Sequence, residues 1–251
     1  MLTQRARSAV LLLLALPVAR AGDPNRLTDA ERQQGWRLLF DGATTAGWEE
    51  ITGKPFPANC WTVADGSLKA LVRHDGAQDI RTRESFRSFD LQFDWKILAG
   101  GNSGVKYRIQ KVDEWTNAAG HQARARGLEY QLADDADADA ASDPRKVAAS
   151  LYSLIAPVPR IPPRIGKPGE SGEFNHSRLV VNGNRVEHWL NGAKVVAFDT
   201  GDAEVQKLLR NDLPKGLPPD APLVETSPIS LQNHGSEAWF QNIKIRVLGE
   251  H

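Results

Sequence analysis

The chain has 251 residues, with 31 basic and 31 acidic side chains, 41% hydrophobic residues and a mean hydropathy of −0.42. Zero formal net charge argues against a protein built to bind nucleic acid or an anionic membrane, and a single cysteine excludes an intramolecular disulfide and a cysteine-based zinc finger. The hydrophobic fraction is too high for a disordered polymer, and the length fits one large domain or two small ones.

Residues 1–21 read as a secretory signal peptide. Arg5 and Arg7 form a positive n-region, Ala9 to Ala19 is an apolar run interrupted late by Pro17, and Ala19-Arg20-Ala21 supplies the small-residue cleavage pattern before Gly22. The run is shorter than the ~20 apolar residues of a membrane span, so the expected product is one exported domain, residues 22–251, periplasmic or secreted, with no integral membrane segment. Cys60, between Asn59 and Trp61, is expected to be a buried core thiol.

Leu27–Gln34 is expected to be a short helix, with Thr28 and Glu31 as a capping box. Period-two patterning follows. Asp65-Gly66 separates Trp61–Val63 from Ser67–Val72 as a tight turn. Phe89, Leu91, Phe93, Trp95 and Ile97 share one strand face, opposite Asp90, Gln92, Asp94 and Lys96. Val105, Tyr107 and Ile109 alternate with Lys106, Arg108 and Gln110, and Leu128, Tyr130 and Leu132 alternate with Glu129 and Gln131. Two irregular stretches, Asp134 to Asp143 and Ile155 to Gly172, read as long surface loops. Asn182-Gly183-Asn184 and Asn191-Gly192 then mark hairpins joining Ser177–Val181, Arg185–Leu190 and Lys194–Phe198. Ala203–Arg210 reads as a helix, and Ile229–Asn233 and Ala238–Val247 as a closing strand pair. About a dozen strands with minor helix predict an all-β chain, an antiparallel β-sandwich of the jelly-roll type.

A sandwich uses one face of each sheet for its core, so the other face is solvated or functional. Arg108, Glu129, Gln131, Gln232 and His234 all lie opposite large apolar residues of their own strands. If those strands are neighbours, one face combines guanidinium, carboxylate, amides and imidazole. That set suits a polyhydroxylated ligand, since each hydroxyl both donates and accepts. His234 sits at a strand end beside a turn. His188 is mid-strand next to Trp189, on a face that depends on register. His74, His121, His176 and His251 read as loop or terminal residues. No zinc-binding spacing is present, and Asp135-Ala136-Asp137-Ala138-Asp139 lacks the glycine and glutamate of a calcium loop, so it reads as a solvated acidic loop. Among the tryptophans, Trp36, Trp48, Trp61 and Trp95 fit packing positions, and Trp115 and Trp189 are the better candidates for sugar stacking.

Ordered motifs run through nearly all of the chain beyond Gly22. They are Gly35-Trp36-Arg37-Leu38-Leu39-Phe40-Asp41-Gly42, Trp61-Thr62-Val63-Ala64-Asp65-Gly66, Gly101-Asn102-Ser103-Gly104-Val105 with Arg108, and Gly127-Leu128-Glu129-Tyr130-Gln131 with Asp134. Then follow Ser150-Leu151-Tyr152, Glu187-His188-Trp189-Leu190-Asn191-Gly192, Leu231-Gln232-Asn233-His234-Gly235 and Phe240-Gln241-Asn242-Ile243. In these the chain resembles the bacterial DUF1080 family of 3-keto-disaccharide (3-keto-glycoside) hydrolase or lyase domains, with a concanavalin A-like lectin/glucanase fold. Phe174 and Gln241 depart from the family's more frequent Trp and Arg.

The resemblance implies chemistry on an oxidised di- or oligosaccharide or glycoside. A ketone at C3 acidifies the C2 proton, a general base removes it, the C1 substituent leaves, and water adds to the resulting enone. Such a site needs a base, an electrophile for the enolate oxygen and a donor for the leaving oxygen. Glu129, His188 and His234 are the candidate bases or acids, and Arg108 the candidate oxyanion partner. Asn102, Gln131, Tyr152, Trp189 and Gln232 are the candidate substrate contacts. A divalent cation is the alternative electrophile, with His188, His234, Glu129 or Asp134 as its ligands. Two other readings stay open at this point: a non-catalytic carbohydrate-binding module on the same sandwich, and a conventional endoglucanase.

Overall fold

The computed structural model describes residues 24–249 apart from 73–75 and 171, so the signal segment expected at 1–21, His74 and His251 lie outside the described residues. A short helix α1 (Asp29–Gln33) opens the described chain, with the Thr28–Glu31 capping box formed as expected. Strands β1 (Arg37–Leu38), β2 (Trp48–Glu50), β3 (Trp61–Ala64), β4 (Ser67–Ala70), β5 (Gly76–Gln78), β6 (Ile80–Phe86) and β7 (Phe89–Ile97) follow. The two longest neighbouring strands are β8 (Asn102–Asn117) and β9 (Gly120–Ala133). After α2 (Ala138–Ser142) come β10 (Asn175–Asn182), β11 (Arg185–Leu190) and β12 (Ala193–Asp199), then α3 (Ala203–Asn211), β13 (Ser227–Leu231) and β14 (Ala238–Val247).

These strands form the expected sandwich. One sheet has the order β12-β11-β10-β7-β14-β4-β3, with β1 also on β14, and the other has the order β2-β6-β13-β8-β9-β5. All pairings are antiparallel except that of β5 with β9. The turns Asp65-Gly66 and Asn191-Gly192 hold both residues at positive φ, the geometry a two-residue hairpin demands and asparagine, aspartate and glycine tolerate best.

Alternation on β7 places Phe89, Leu91, Phe93, Trp95 and Ile97 in the core against Val105, Tyr107, Tyr130 and Leu132 of the facing sheet. Phe93 meets Tyr130 edge to face across the sandwich, ring centres 5.7 Å apart. The tryptophans assigned to packing are buried, and the indole N–H groups of three of them find acceptors: Trp48 to Leu39 O, Trp61 to Gln78 O and Trp95 to Ser177 Oγ. Burying an aromatic side chain of this size contributes roughly 4–6 kcal/mol before entropy is counted. Cys60 is buried, its thiol directed to Gln78 Oε1. Among the described residues no helix is long and apolar enough to cross a membrane.

The Ala/Asp stretch is not merely a solvated acidic loop. Asp137 caps α2 by accepting from Asp139 N, Asp134 accepts from Gly100 N and Ala136 N, and Asp135 accepts from Ala148 N and pairs with Arg160. These carboxylates answer backbone donors, which fixes the 134–155 segment along the β8–β9 end of the six-stranded sheet.

Candidate functional site

The site is built on the outer face of β8 and β9, where Lys106 pairs with Glu129 and Gly104 with Gln131. Gly104 has a steric task. A Cβ there would lie 2.1 Å from Glu129 Oε1, so only glycine lets the carboxylate lie over β8. Lys106 is buried (3% exposed), and its Nζ donates to Ala125 O at 3.0 Å while standing 3.6 Å from Asp79 and 3.7 Å from Glu129. Asp79 is the single residue between β5 and β6, fully buried, and it accepts from the backbone N–H of Ala125 and of Asn233. Two carboxylates thus share one ammonium inside the protein.

Burial is the main cause raising the pKa of both. Glu129 is raised by burial and by the nearby Asp79 charge, opposed by Lys106 and Arg124; Asp79 is raised by burial, opposed first by Lys106. A carboxylate held this way is more basic than in water, which is what a general base at near-neutral pH requires. His234 follows β13. Although the residue is exposed, protein around its ring and the charges of Arg124 and Lys106 lower its pKa, so the imidazole is neutral at pH 7.

A cleft of about 530 Å³ opens onto Lys106 and Glu129, walled by Tyr152–Leu154 and by Leu209 and Asp212–Lys215 at the end of α3. Tyr152 N donates to Glu129 O, and burial together with the Glu129 charge raises its phenol pKa, so Tyr152 stays a proton donor. Asp212, also in the cleft, is raised by burial. Along the same sheet face lie Gln131, its Nε2 3.4 Å from Asn102 Oδ1, and Gln232, whose N donates to Gly104 O and whose Oε1 is buried and unpartnered.

The structure therefore brings Glu129, Asn102, Gln131, Tyr152, Gln232 and His234 to one region of the six-stranded sheet. It does not bring Arg108, His188 or Trp189 there. Arg108 sits at a bulge with φ +47°, where the β8–β9 register shifts, and Gly127 opposite is needed because a Cβ would lie 2.8 Å from Ile109 Cα. The bulge turns the guanidinium inward, to Thr200 Oγ1 at 2.9 Å and Gly183 O at 2.5 Å, where it buttresses the β10–β11 hairpin. His188 shares the inward face of β11 with Val186 and Leu190 and is fully buried. Its Nδ1–H donates to Ala149 O, since a carbonyl only accepts, and its Nε2 accepts from the Tyr107 hydroxyl at 2.9 Å. Burial lowers its pKa to about 4, the state of a neutral core histidine.

Trp189 lies on the outer face of the other sheet, where its Nε1 donates to Glu187 and Arg178 and Lys194 flank its ring. Trp115 instead lies beside Arg124 on the β8–β9 hairpin. The four residues expected as cation ligands do not converge either. Both nitrogens of His188 are engaged, and Asp134 serves backbone N–H groups. Phe174, one of the two family departures, lies beneath the ammonium of Lys96. For Gln241 on β14, nothing in the structure explains the departure.

Lys106, Asp79, Arg124 and Asp212 are the site groups that sequence patterning missed. Lys106 was visible as the neighbour of Val105 on the polar side of its strand, but alternation does not tell a covered polar face from a wet one. Asp79 carries no periodic signal at all, because its partners Ala125 and Asn233 are 46 and 154 residues away.

Residues 35–246 match the family model described as a 3-keto-alpha-glucoside-1,2-lyase-like domain. A 3-keto-disaccharide hydrolase of Bacteroides thetaiotaomicron is 29% identical over 237 residues, covering 85% of this chain and 79% of the relative. The crystal structure of a candidate glycosyl hydrolase from Parabacteroides distasonis superposes with a TM-score of 0.73 at 29% identity, covering 90% of this chain and 100% of that one. A second candidate glycosyl hydrolase from the same organism gives 0.61 at 27% identity, covering 85% and 99%.

Proposed function

Because the chain belongs to the 3-keto-alpha-glucoside-1,2-lyase-like domain family, we propose that its cleft cleaves 3-keto-glycosides by removing the C2 proton and expelling the C1 substituent. The observation that carries this reading is Glu129: a carboxylate given room by Gly104, set in a cleft beside Lys106, and more basic than a free one.

Glu129 takes the proton from C2, and the electron pair moves onto the C3 oxygen as an enolate. Arg124 and the neutral His234 give this end of the site its positive field and its donors for that oxygen. Collapse of the enolate breaks the C1–O bond, and Tyr152, kept protonated, donates to the departing oxygen. Water then adds at C1 of the enone and passes its proton to the Tyr152 phenolate, while C2 regains a proton from the Glu129 carboxyl, which has exchanged with solvent after the first step; the 3-keto sugar is released and both side chains return to their starting states. Lys106 is a positioning residue, since Ala125 O, Asp79 and Glu129 surround its ammonium. Asn102, Gln131 and Gln232 orient hydroxyls. Export rests on the N-terminal pattern of residues 1–21 and is part of the same proposal.

Incubating the protein with a 3-keto-disaccharide and with its unoxidised parent tests the reading. Release of 3-keto sugar or its enone from the oxidised compound alone is the expected result. Cleavage of the parent would indicate a conventional glycosidase, and binding without turnover a carbohydrate-binding module; either would overturn the proposal.

A further inference from the structure

Toward the tip of the β8–β9 hairpin, on side chains with no part in the proposed sugar cleavage, Glu50, Glu114 and His121 each bring one ligand atom within 4.8 Å of the other two. The strand pairing explains why. Glu114 pairs with Ala123 and His121 with Thr116, so Glu114 and His121 are diagonal neighbours on one sheet face. Glu50 comes to the same face from the end of β2, because Ile51 packs into a small apolar cluster with Ala123 and Ala125 and donates its N–H to Asp79 O.

Sequence patterning read His121 as a loop residue. It stands in β9, opposite Gly76 of β5. Two atoms of this group are left without the partners that burial demands. Glu50 is 3% exposed; one carboxylate oxygen accepts from Thr52, while Oε1 is buried and unpartnered. His121 Nε2 is likewise buried and unpartnered, 3.8 Å from Glu114 Oε2. Buried polar atoms of native proteins are nearly always satisfied, and an orphaned carboxylate oxygen beside an orphaned imidazole nitrogen calls for a shared cation. Lys54 also reaches Glu114 Oε2, at 2.9 Å, and its ammonium keeps that carboxylate ionised. The ammonium also feels the charge of Glu50, but it donates to neither Glu50 Oε1 nor His121 Nε2, and both atoms stay without a hydrogen bond.

We propose that Glu50, Glu114 and His121 form a divalent transition-metal site. One imidazole and two carboxylates suit Zn²⁺ and its first-row neighbours better than Ca²⁺ or Mg²⁺, which prefer all-oxygen shells. Three protein donors leave a coordination position for water. Ligand atoms at ~2.0–2.2 Å from a tetrahedral metal lie about 3.4 Å apart, so these three, now within 4.8 Å of one another, would draw together by about 1 Å. The metal clamps β2 to the β8–β9 hairpin.

The test uses the full chain, stripped with EDTA and dialysed, and titrated with Zn²⁺ by calorimetry and by competition with a chromogenic chelator. The expected result is one Zn²⁺ per chain and a thermal midpoint that rises with added Zn²⁺. Glu50→Gln and His121→Ala should each weaken binding by at least ~10–100-fold, the loss seen even for outer partners of metal ligands. Glu114→Gln, at an exposed position, tests the same prediction if the other variants fold poorly. His176→Ala, on the other sheet, should leave binding unchanged. Absence of stoichiometric binding, binding that the site variants leave intact, or binding lost in His176→Ala would each overturn the proposal. No readout depends on sugar cleavage, so this inference and the proposed activity fail separately.

Discussion

Replacing Gly104 by alanine tests how the site is assembled. The added Cβ would lie 2.1 Å from Glu129 Oε1, 2.8 Å from its Cδ and 3.0 Å from its Cγ. Non-bonded carbon and oxygen need more than 3 Å, so the carboxylate must retreat by about 1 Å. A displacement of that size at a reacting group costs about 10²-fold in turnover, equivalent to ~2.7 kcal/mol of transition-state stabilisation. Overpacking adds ~1–3 kcal/mol of lost stability, a fall of about 2–4 °C in Tm per kcal/mol for a chain of this size. Steady-state kinetics on a 3-keto-disaccharide, with the folded fraction measured by circular dichroism, read both effects. A cycle with Glu129→Gln isolates the cause, because Gly104→Ala should cost almost nothing further once the carboxylate is gone. A folded Gly104→Ala protein with wild-type kcat, or one whose loss is undiminished in the Glu129→Gln background, would refute the positioning role of this glycine.

Other consequences follow from the same geometry. Glu129→Gln should lower turnover by roughly 10²-fold or more, and the acid limb of the wild-type kcat/KM profile should lie above 4.5, the ordinary glutamate value, since the base is raised and must be ionised to act; a limb at or below 4.5 counts against it. Arg108→Met should cost about 2–3 kcal/mol in urea unfolding, through lost bonds to Thr200 and Gly183, while turnover per folded molecule stays near wild type. His188 makes stability pH-dependent. Its folded pKa of about 4 lies below its ordinary 6.5, so its contribution is complete above pH 6.5 and is lost as pH falls toward 4, ~3 kcal/mol in all. Urea titrations of wild type and His188→Gln across that range should differ in slope, and parallel slopes would show that the histidine is not held neutral.

The fold was legible where local chemistry and tertiary structure agree. Strict alternation on β7 and the Asp65-Gly66 and Asn191-Gly192 turns are decided by residues adjacent in sequence, and the structure has them as expected. The site was legible only where strands stay regular. Glu129, Gln131 and Gln232 keep to the expected face, but β8 carries two extra residues at the bulge, Arg108–Gln110 standing opposite Gly127 alone, and this diverts Arg108, an outcome that period-two counting cannot register. His188 was decidable from its own strand, since Val186 and Leu190 two residues to either side are core residues. Asp79 was not, because what makes it part of the site is a set of backbone donors assembled by the fold.

The most direct test of the central claim is the fate of the C2 hydrogen. Turnover of a 3-keto-disaccharide in D₂O, with the product trapped promptly by borohydride and examined by mass spectrometry and NMR, should place one deuterium at C2 of every released sugar beyond a no-enzyme control. Substrate deuterated at C2 should turn over more slowly than the protiated compound in H₂O. Product that retains its original C2 hydrogen, together with equal rates for C2-deuterated and protiated substrate, would mean that the C1–O bond breaks without C2 proton abstraction, and would contradict the assignment of Glu129 as the base that initiates cleavage.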